Sequence, residues 1–235
     1  AGHAVVSKYL EHVDPVHHIT IVPRGMAGGM TIFRPQEDKN FSSRSEMFER
    51  IVSALGGRVA EKLILDDIST GASGDIKQAT AIARSMVTKY GMSDKLGPIS
   101  FDSSDHSVFI GRDFAQTKGY SEKVAALIDE EVKRIFDEAT ALCEKILLEH
   151  KDILIKTAEY LLEHETMDGK DFDYLCETGR LPGDSKSEAQ ALAETEKAES
   201  AQDSQKNDQD NKETGQETQG TGKEYQETDN ETKQD

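Results

Sequence analysis

Apolar side chains recur at helical spacing along most of the first 182 residues, with one short interruption of strand-like alternation. Residues 1–12 read as a short helix that ends before Asp14-Pro15, a turn signal. His17 to Val22 (HHITIV) alternates and is β-branched, which predicts a strand. Arg24 to Gly29 supplies turn residues, and Met30 to Arg34 predicts a second strand paired with the first as a hairpin. Ser43 and Glu46 form a capping-box pair, with the Ser accepting from a first-turn amide and the Glu reaching back. The helix they open carries Phe48, Ile51, Val52, Leu55, Val59 and Leu63 on one face. Gly56-Gly57 lies in its middle, at a cost of about 1 kcal/mol per Gly relative to Ala, so close packing or a local break is expected there. Ser69 to Asp75 (STGASGD) reads as a loop. Ile76 to Tyr90 reads as a helix with Ile76, Ala79, Ala83, Met86, Val87 and Tyr90 on one face, stopped by Gly91. Residues 98–113 suggest short extended pieces. Ser121 caps a long helix whose face runs Val124, Ile128, Val132, Ile135, Ala139, Leu142, Cys143 and Ile146. Two further helices are expected, from about Asp152 to Glu163 and around Phe172, Tyr174 and Leu175. The predicted fold is mainly α: a helical bundle with a small β-hairpin.

Composition changes this picture at one end. The last 53 residues, 183–235, hold 15 acidic and 6 basic side chains, and Leu192 and Tyr225 are their only large apolar groups. Such a segment buries too little surface to offset the entropy of ordering. The expected organisation is therefore a folded domain over 1–182 and a disordered acidic tail over 183–235. The net charge of −17 over 235 residues argues against nucleic acid as a partner, because phosphate binding relies on Lys and Arg. Two cysteines, Cys143 and Cys176, both in helical patterns, suggest reduced and buried thiols in place of a disulfide framework. No apolar run approaches the roughly 18 residues that span a bilayer.

The chemistry starts at His3. A lone histidine on a short helix is ordinarily packed or solvated. Ala-Gly-His followed by Ala-Val-Val, however, has the look of the second half of a His-Glu-x-x-His helix. That motif puts two imidazoles one turn apart, so that both bind one zinc, with the Glu as general base. The first His and the Glu are expected just before Ala1, the chain reading as a piece of a longer protein that begins inside its own motif. Asp75 has two readings: a helix cap with Gln78 as its partner, or a metal ligand. Glu61 by itself reads as an exposed helix carboxylate beside Lys62. His17 and His18 face opposite sides of the first strand and are assigned to packing or surface.

An ordered set of motifs resembles the FtsH family of ATP-dependent zinc metalloproteases over about residues 1–168. The set comprises Asp14-Pro15-Val16-His17, Ile19 to Gly25, Gly56-Gly57-Arg58-Val59-Ala60-Glu61, Ser69 to Asp75, Ala83 to Val87, Gly91-Met92-Ser93, Leu96-Gly97-Pro98, Phe109 to Arg112 and Ile128 to Val132. The family usually has Asn at the position of Gly74 and a larger residue at Gly28. The resemblance implies a metallopeptidase domain that hydrolyses peptide bonds in unfolded polypeptides by a zinc-activated water. His3 and Asp75 become metal ligands, and Glu61 a neighbour of the metal that orients a His. No catalytic general base lies within the chain, so the 235 residues alone are expected to be inactive. The resemblance also implies Zn2+ as cofactor, ATP in a separate AAA+ domain, a homohexamer, and a membrane anchor in an N-terminal region outside this soluble segment. Bacterial inner membranes and organelle membranes both fit. The rival reading is a non-catalytic ring-forming module whose parent lacks the His-Glu pair. The hairpin edge is a further candidate, as a place for an extended substrate to add on.

Overall fold

A computed structural model describes residues 1–25, 28–35, 41–101 and 119–181. The expected tail over 183–235 and most of the extended pieces over 98–113 lie outside the described residues. The chain divides into Ala1–Pro182 and Gly183–Asp235. All the elements of secondary structure described belong to the first unit.

The order of elements is α1 (Gly2–Lys8), β1 (Val16–Thr20), β2 (Met30–Phe33), α2 (Arg44–Leu65), a 3-10 turn (Thr70–Ala72), α3 (Ser73–Thr88), α4 (Glu122–Glu149), α5 (Lys151–His164), β3 (Thr166–Asp168) and α6 (Gly169–Thr178). The unit is mainly helical, as its periodicity predicts. α2 is the hub and packs against α1, α3 and α4. Ile51, Val52, Leu55 and Val59 of its predicted face are buried, as are Ile128, Ile135, Ala139, Cys143 and Ile146 of α4. Ser43 accepts from the Glu46 amide at 3.1 Å and Ser121 from the Val124 amide at 3.4 Å, so both caps form. Glu46 does not complete its box. Its carboxylate is buried and accepts instead from Arg50 at 3.0 Å and from Ser42 Oγ at 3.4 Å.

The hairpin is present, with Ile19 opposite Thr31 and Thr20 opposite Met30. It is also part of something larger. β3 pairs antiparallel with the other edge of β1, giving a three-stranded sheet of order β2-β1-β3. Glu165, at φ 63, ends α5 and turns the chain into β3. β1 is therefore central, and β2 is an edge strand of this sheet.

Two further details differ from the sequence reading. Helix α3 ends at Thr88, so Tyr90 lies beyond the last turn and is 51% exposed, off the face that buries Ala79, Ala83, Met86 and Val87. The STGASGD segment is not a loop throughout. Ser69 caps the 3-10 turn by accepting from the Gly71 amide at 3.2 Å, and α3 begins at Ser73. Asp75 thus sits in the first turn of a helix.

One buried charge ties the stretch after α3 to α4. Glu131 is buried and accepts from Ser93 Oγ at 2.7 Å and from two nitrogens of Arg134 at 3.1 Å each. The Arg134 hydrogen bonds hold its carboxyl below the usual carboxylate range against the opposing effect of burial. Because the folded value is depressed, this stabilisation is fully present above the ordinary value of 4.5 and is lost as pH falls through the folded value. Glu131→Gln is expected to lower stability at pH 7 and to flatten its decline below pH 4.5. Urea titrations from pH 3 to 7 measure both effects, and an unchanged acid limb would contradict this assignment.

Both cysteines are free. Cys143 is fully buried, and burial pushes its thiol up to about 12. Burial likewise pushes half-buried Cys176 up to about 11. Thiols so raised are poor nucleophiles and poor metal ligands. Among the described residues, no helix is long and apolar enough to cross a membrane.

Candidate metal centre

His3 is delivered by α1, which lies across the middle of α2. The contact is made by glycine on both sides. A Cβ at Gly2 would lie 2.4 Å from the Gly56 carbonyl oxygen, and one at Gly56 would lie 2.9 Å from the Gly2 carbonyl oxygen. The mid-helix glycine pair therefore reflects close helix packing and not a break, since α2 is continuous through it.

This packing sets the imidazole against the backbone of α2. His3 Nδ1 lies 2.9 Å from the carbonyl oxygen of Ser53. A carbonyl only accepts, so Nδ1 donates and carries the hydrogen. In the neutral ring, Nε2 then holds a lone pair. It faces Asp75 Oδ2 at 3.5 Å. Two acceptors that face each other need a cation between them, either a proton on Nε2 or a metal ion. A separation of 3.5 Å is long for an N–H···O hydrogen bond, which is typically about 2.7–3.2 Å. It is close to the roughly 3.4 Å that separates two donors bound at about 2.1 Å to one tetrahedral zinc ion. The donor set fits that ion.

Asp75 does not cap α3. The N-cap is Ala72, with no side-chain hydrogen bond, and the Asp75 carboxylate stands in the first turn, where the helix dipole favours a negative charge. Glu61 does not reach His3, the one histidine of the motif present here. Its carboxylate accepts from the Ser69 amide at 3.0 Å and from Ser69 Oγ at 3.0 Å. It thus fastens the segment that leads into Asp75, while the group that orients His3 is the Ser53 carbonyl. No sequence signal marks a main-chain oxygen for such a role. Gly74 departs from the resembled pattern without consequence for space, because a Cβ there would meet nothing within 4 Å. The same holds at Gly28.

His3 and Asp75 open into a cleft of about 540 Å³ that β2 lines through Met30, Thr31 and Phe33, with Arg50 on the α2 side. His17 and His18 do not line it. His17 is exposed, and His18 pairs with Asp168 at 3.1 Å. Among the described residues, no three His, Cys, Asp or Glu side chains converge on one point, so these residues contribute a pair of donors.

Residues 1–175 match the model of Peptidase family M41. The chain is 54% identical over 173 residues to ATP-dependent zinc metalloprotease FtsH 1 of Thermoanaerobacter sp. (strain X514), covering 74% of this chain and 28% of that protein. It is 55% identical over 172 residues to ATP-dependent zinc metalloprotease FtsH of Caldicellulosiruptor bescii, covering 73% and 28% respectively. It is also 54% identical over 181 residues to ATP-dependent zinc metalloprotease FtsH 2 of Alkaliphilus metalliredigens, covering 77% and 26%. The chain thus spans a little over a quarter of the length of these relatives. The family model covers the sheet, the α2 hub and both donors, and the chain belongs to peptidase family M41.

Proposed function

We propose that this chain is the peptidase module of an ATP-dependent zinc metalloprotease, and that His3 and Asp75 are two of its metal ligands. The observation that carries the reading is the pairing of a tautomer-fixed Nε2 with a carboxylate oxygen at 3.5 Å. Zinc, when bound, supplies Lewis acidity that activates a water for attack on a peptide carbonyl. The residues of this chain do the rest of what can be assigned. His3 presents its lone pair because Ser53 holds the opposite nitrogen. Asp75 brings negative charge from the start of α3, and Glu61 anchors the backbone ahead of it. β2 borders the cleft as an edge strand, so an extended, unfolded polypeptide is the fitting substrate. Main-chain hydrogen bonds to such an edge are tolerant of sequence. The third ligand and the general base are assigned to a His and a Glu one turn ahead of His3, on a longer α1. The reading extends to an AAA+ ATPase that unfolds the substrate, to a membrane anchor and to a homohexamer, each supplied or completed by the remainder of a longer protein.

A direct comparison tests this. The full-length protein is expected to digest casein in the presence of ATP and to stop when zinc is chelated. The 235-residue chain alone is expected to show no digestion. Casein cleavage by the 235 residues alone would contradict the assignment of the base. A parent protein with neither His nor Glu in the turn before His3 would favour a non-catalytic ring-forming module.

A further inference from the structure

We propose that Gly57 is a positioning residue for His3: its missing side chain opens the Ser53 carbonyl to the imidazole and leaves room for Nε2. This rests on the reading of His3 as a metal ligand. In an α-helix the Cβ of each residue leans toward the N-terminus, over the carbonyl four residues earlier. Residue 57 therefore stands over the carbonyl of residue 53, the group that His3 Nδ1 reaches at 2.9 Å. A Cβ at Gly57 would fall 2.5 Å from His3 Nε2, 3.1 Å from Cε1 and 3.3 Å from Cδ2. All three nearest atoms belong to the one imidazole. At Gly2 and Gly56 the nearest atoms are mostly backbone of the facing helix. The glycine pair in α2 thus divides its labour. Gly56 lets the helices meet, and Gly57 seats the ring.

The difference predicts how each substitution fails. A methyl group at Gly56 collides with main chain, which has nowhere to go. A methyl group at Gly57 collides with the end of a side chain, which swings away. The fold then survives, with a gain in helix propensity, while the ring loses its seat, its fixed tautomer and its alignment with Asp75.

The test uses Gly57→Ala in the full-length zinc-loaded protein and in the 235-residue chain. Chelator competition on the full-length protein is expected to show zinc affinity about 10- to 100-fold weaker, the usual range for lost ligand orientation. The melting temperature of the shorter chain is expected to stay level or to rise by roughly 2–4 °C. Ring nitrogen NMR at pH 8 is expected to show His3 as the Nδ1–H tautomer in the parent and as a tautomer mixture in Gly57→Ala. In a His3→Ala background, Gly57→Ala is expected to raise the melting temperature, because no ring is left to displace. Zinc affinity within twofold of the parent, an unchanged tautomer, or unfolding of Gly57→Ala would each overturn the proposal. Should His3→Ala itself leave zinc affinity intact, the metal reading fails. Should only Gly57→Ala do so, the metal reading stands and the role of Gly57 falls.

Discussion

Replacing Asp75 with Ala in the full-length protein is expected to abolish proteolysis and to weaken zinc binding by more than about a hundredfold, beyond the 10- to 100-fold typical of losing a partner that merely orients a ligand. Among the described residues, nothing nearby substitutes for this carboxylate. It faces His3 Nε2 at 3.5 Å, and among the described residues no third His, Cys, Asp or Glu joins the pair. The effect is expected to be selective for function. Asp75 makes no capping hydrogen bond, since Ala72 is the N-cap of α3. Its side chain is 39% exposed, so its removal opens no cavity. The structural cost is limited to a favourable charge at a helix start, about 0.3–1 kcal/mol. Asp75→Asn keeps the shape and removes the charge, and it is expected to behave like Asp75→Ala in zinc competition, while its zinc-free form melts at nearly the temperature of the zinc-free parent. Zinc affinity that survives both substitutions would remove Asp75 from the ligand set.

Gly2→Ala is expected to have the largest effect on stability. The added methyl would lie 2.4 Å from the Gly56 carbonyl oxygen and 2.7 Å from the Ala60 Cβ. Neither partner has a rotamer through which to escape, so α1 as a whole must lift from α2. α1 carries Ala4, Val5 and Val6, all fully buried, and lifting it loosens that contact. Overpacking of this kind costs about 1–3 kcal/mol and more where backbone is involved. A loss of about 3 kcal/mol corresponds to a fall in melting temperature of roughly 6–12 °C for a domain of this size. His3 moves with α1, so zinc affinity is expected to fall in parallel, unlike the separation expected at Gly57. A melting temperature within about 2 °C of the parent, a shift of about 1 kcal/mol or less, would contradict the close approach of these two helices.

The elements legible in the sequence are those whose signal is local. Ser43 and Ser121 announce their helices because an N-cap and its amide lie three residues apart. The inner faces of α2 and α4 follow from spacing alone, and so does the hairpin. The rest depends on partners distant in sequence or on the ends of elements. β3 has three residues and one buried side chain, Met167, too short for any alternation to show. It exists because β1 offers it an edge. Tyr90 falls on the extrapolated face of α3, but the helix stops two residues earlier and the periodicity stops with it. Gly71, Gly74 and two serines make the STGASGD segment look like a loop, whereas Ser69 uses its own hydroxyl to start a turn that leads straight into α3.

The site divides the same way. Motif resemblance points to His3 and Asp75, and the fold brings them together across 72 residues of sequence. Glu61 supports the backbone ahead of the other donor through Ser69, a contact that its helical position alone does not announce. The group that does orient His3 is a main-chain carbonyl, and every residue has one. Only the glycine four residues later distinguishes Ser53, and its significance depends on a helix that crosses at that point.

Anomalous scattering at the zinc edge, measured on crystals of the full-length protein, tests the metal centre most directly. One strong peak per protomer is expected, bonded to both Nε2 of His3 and the carboxylate of Asp75. A peak held by other residues, with His3 and Asp75 facing each other across an empty gap, would contradict the assignment.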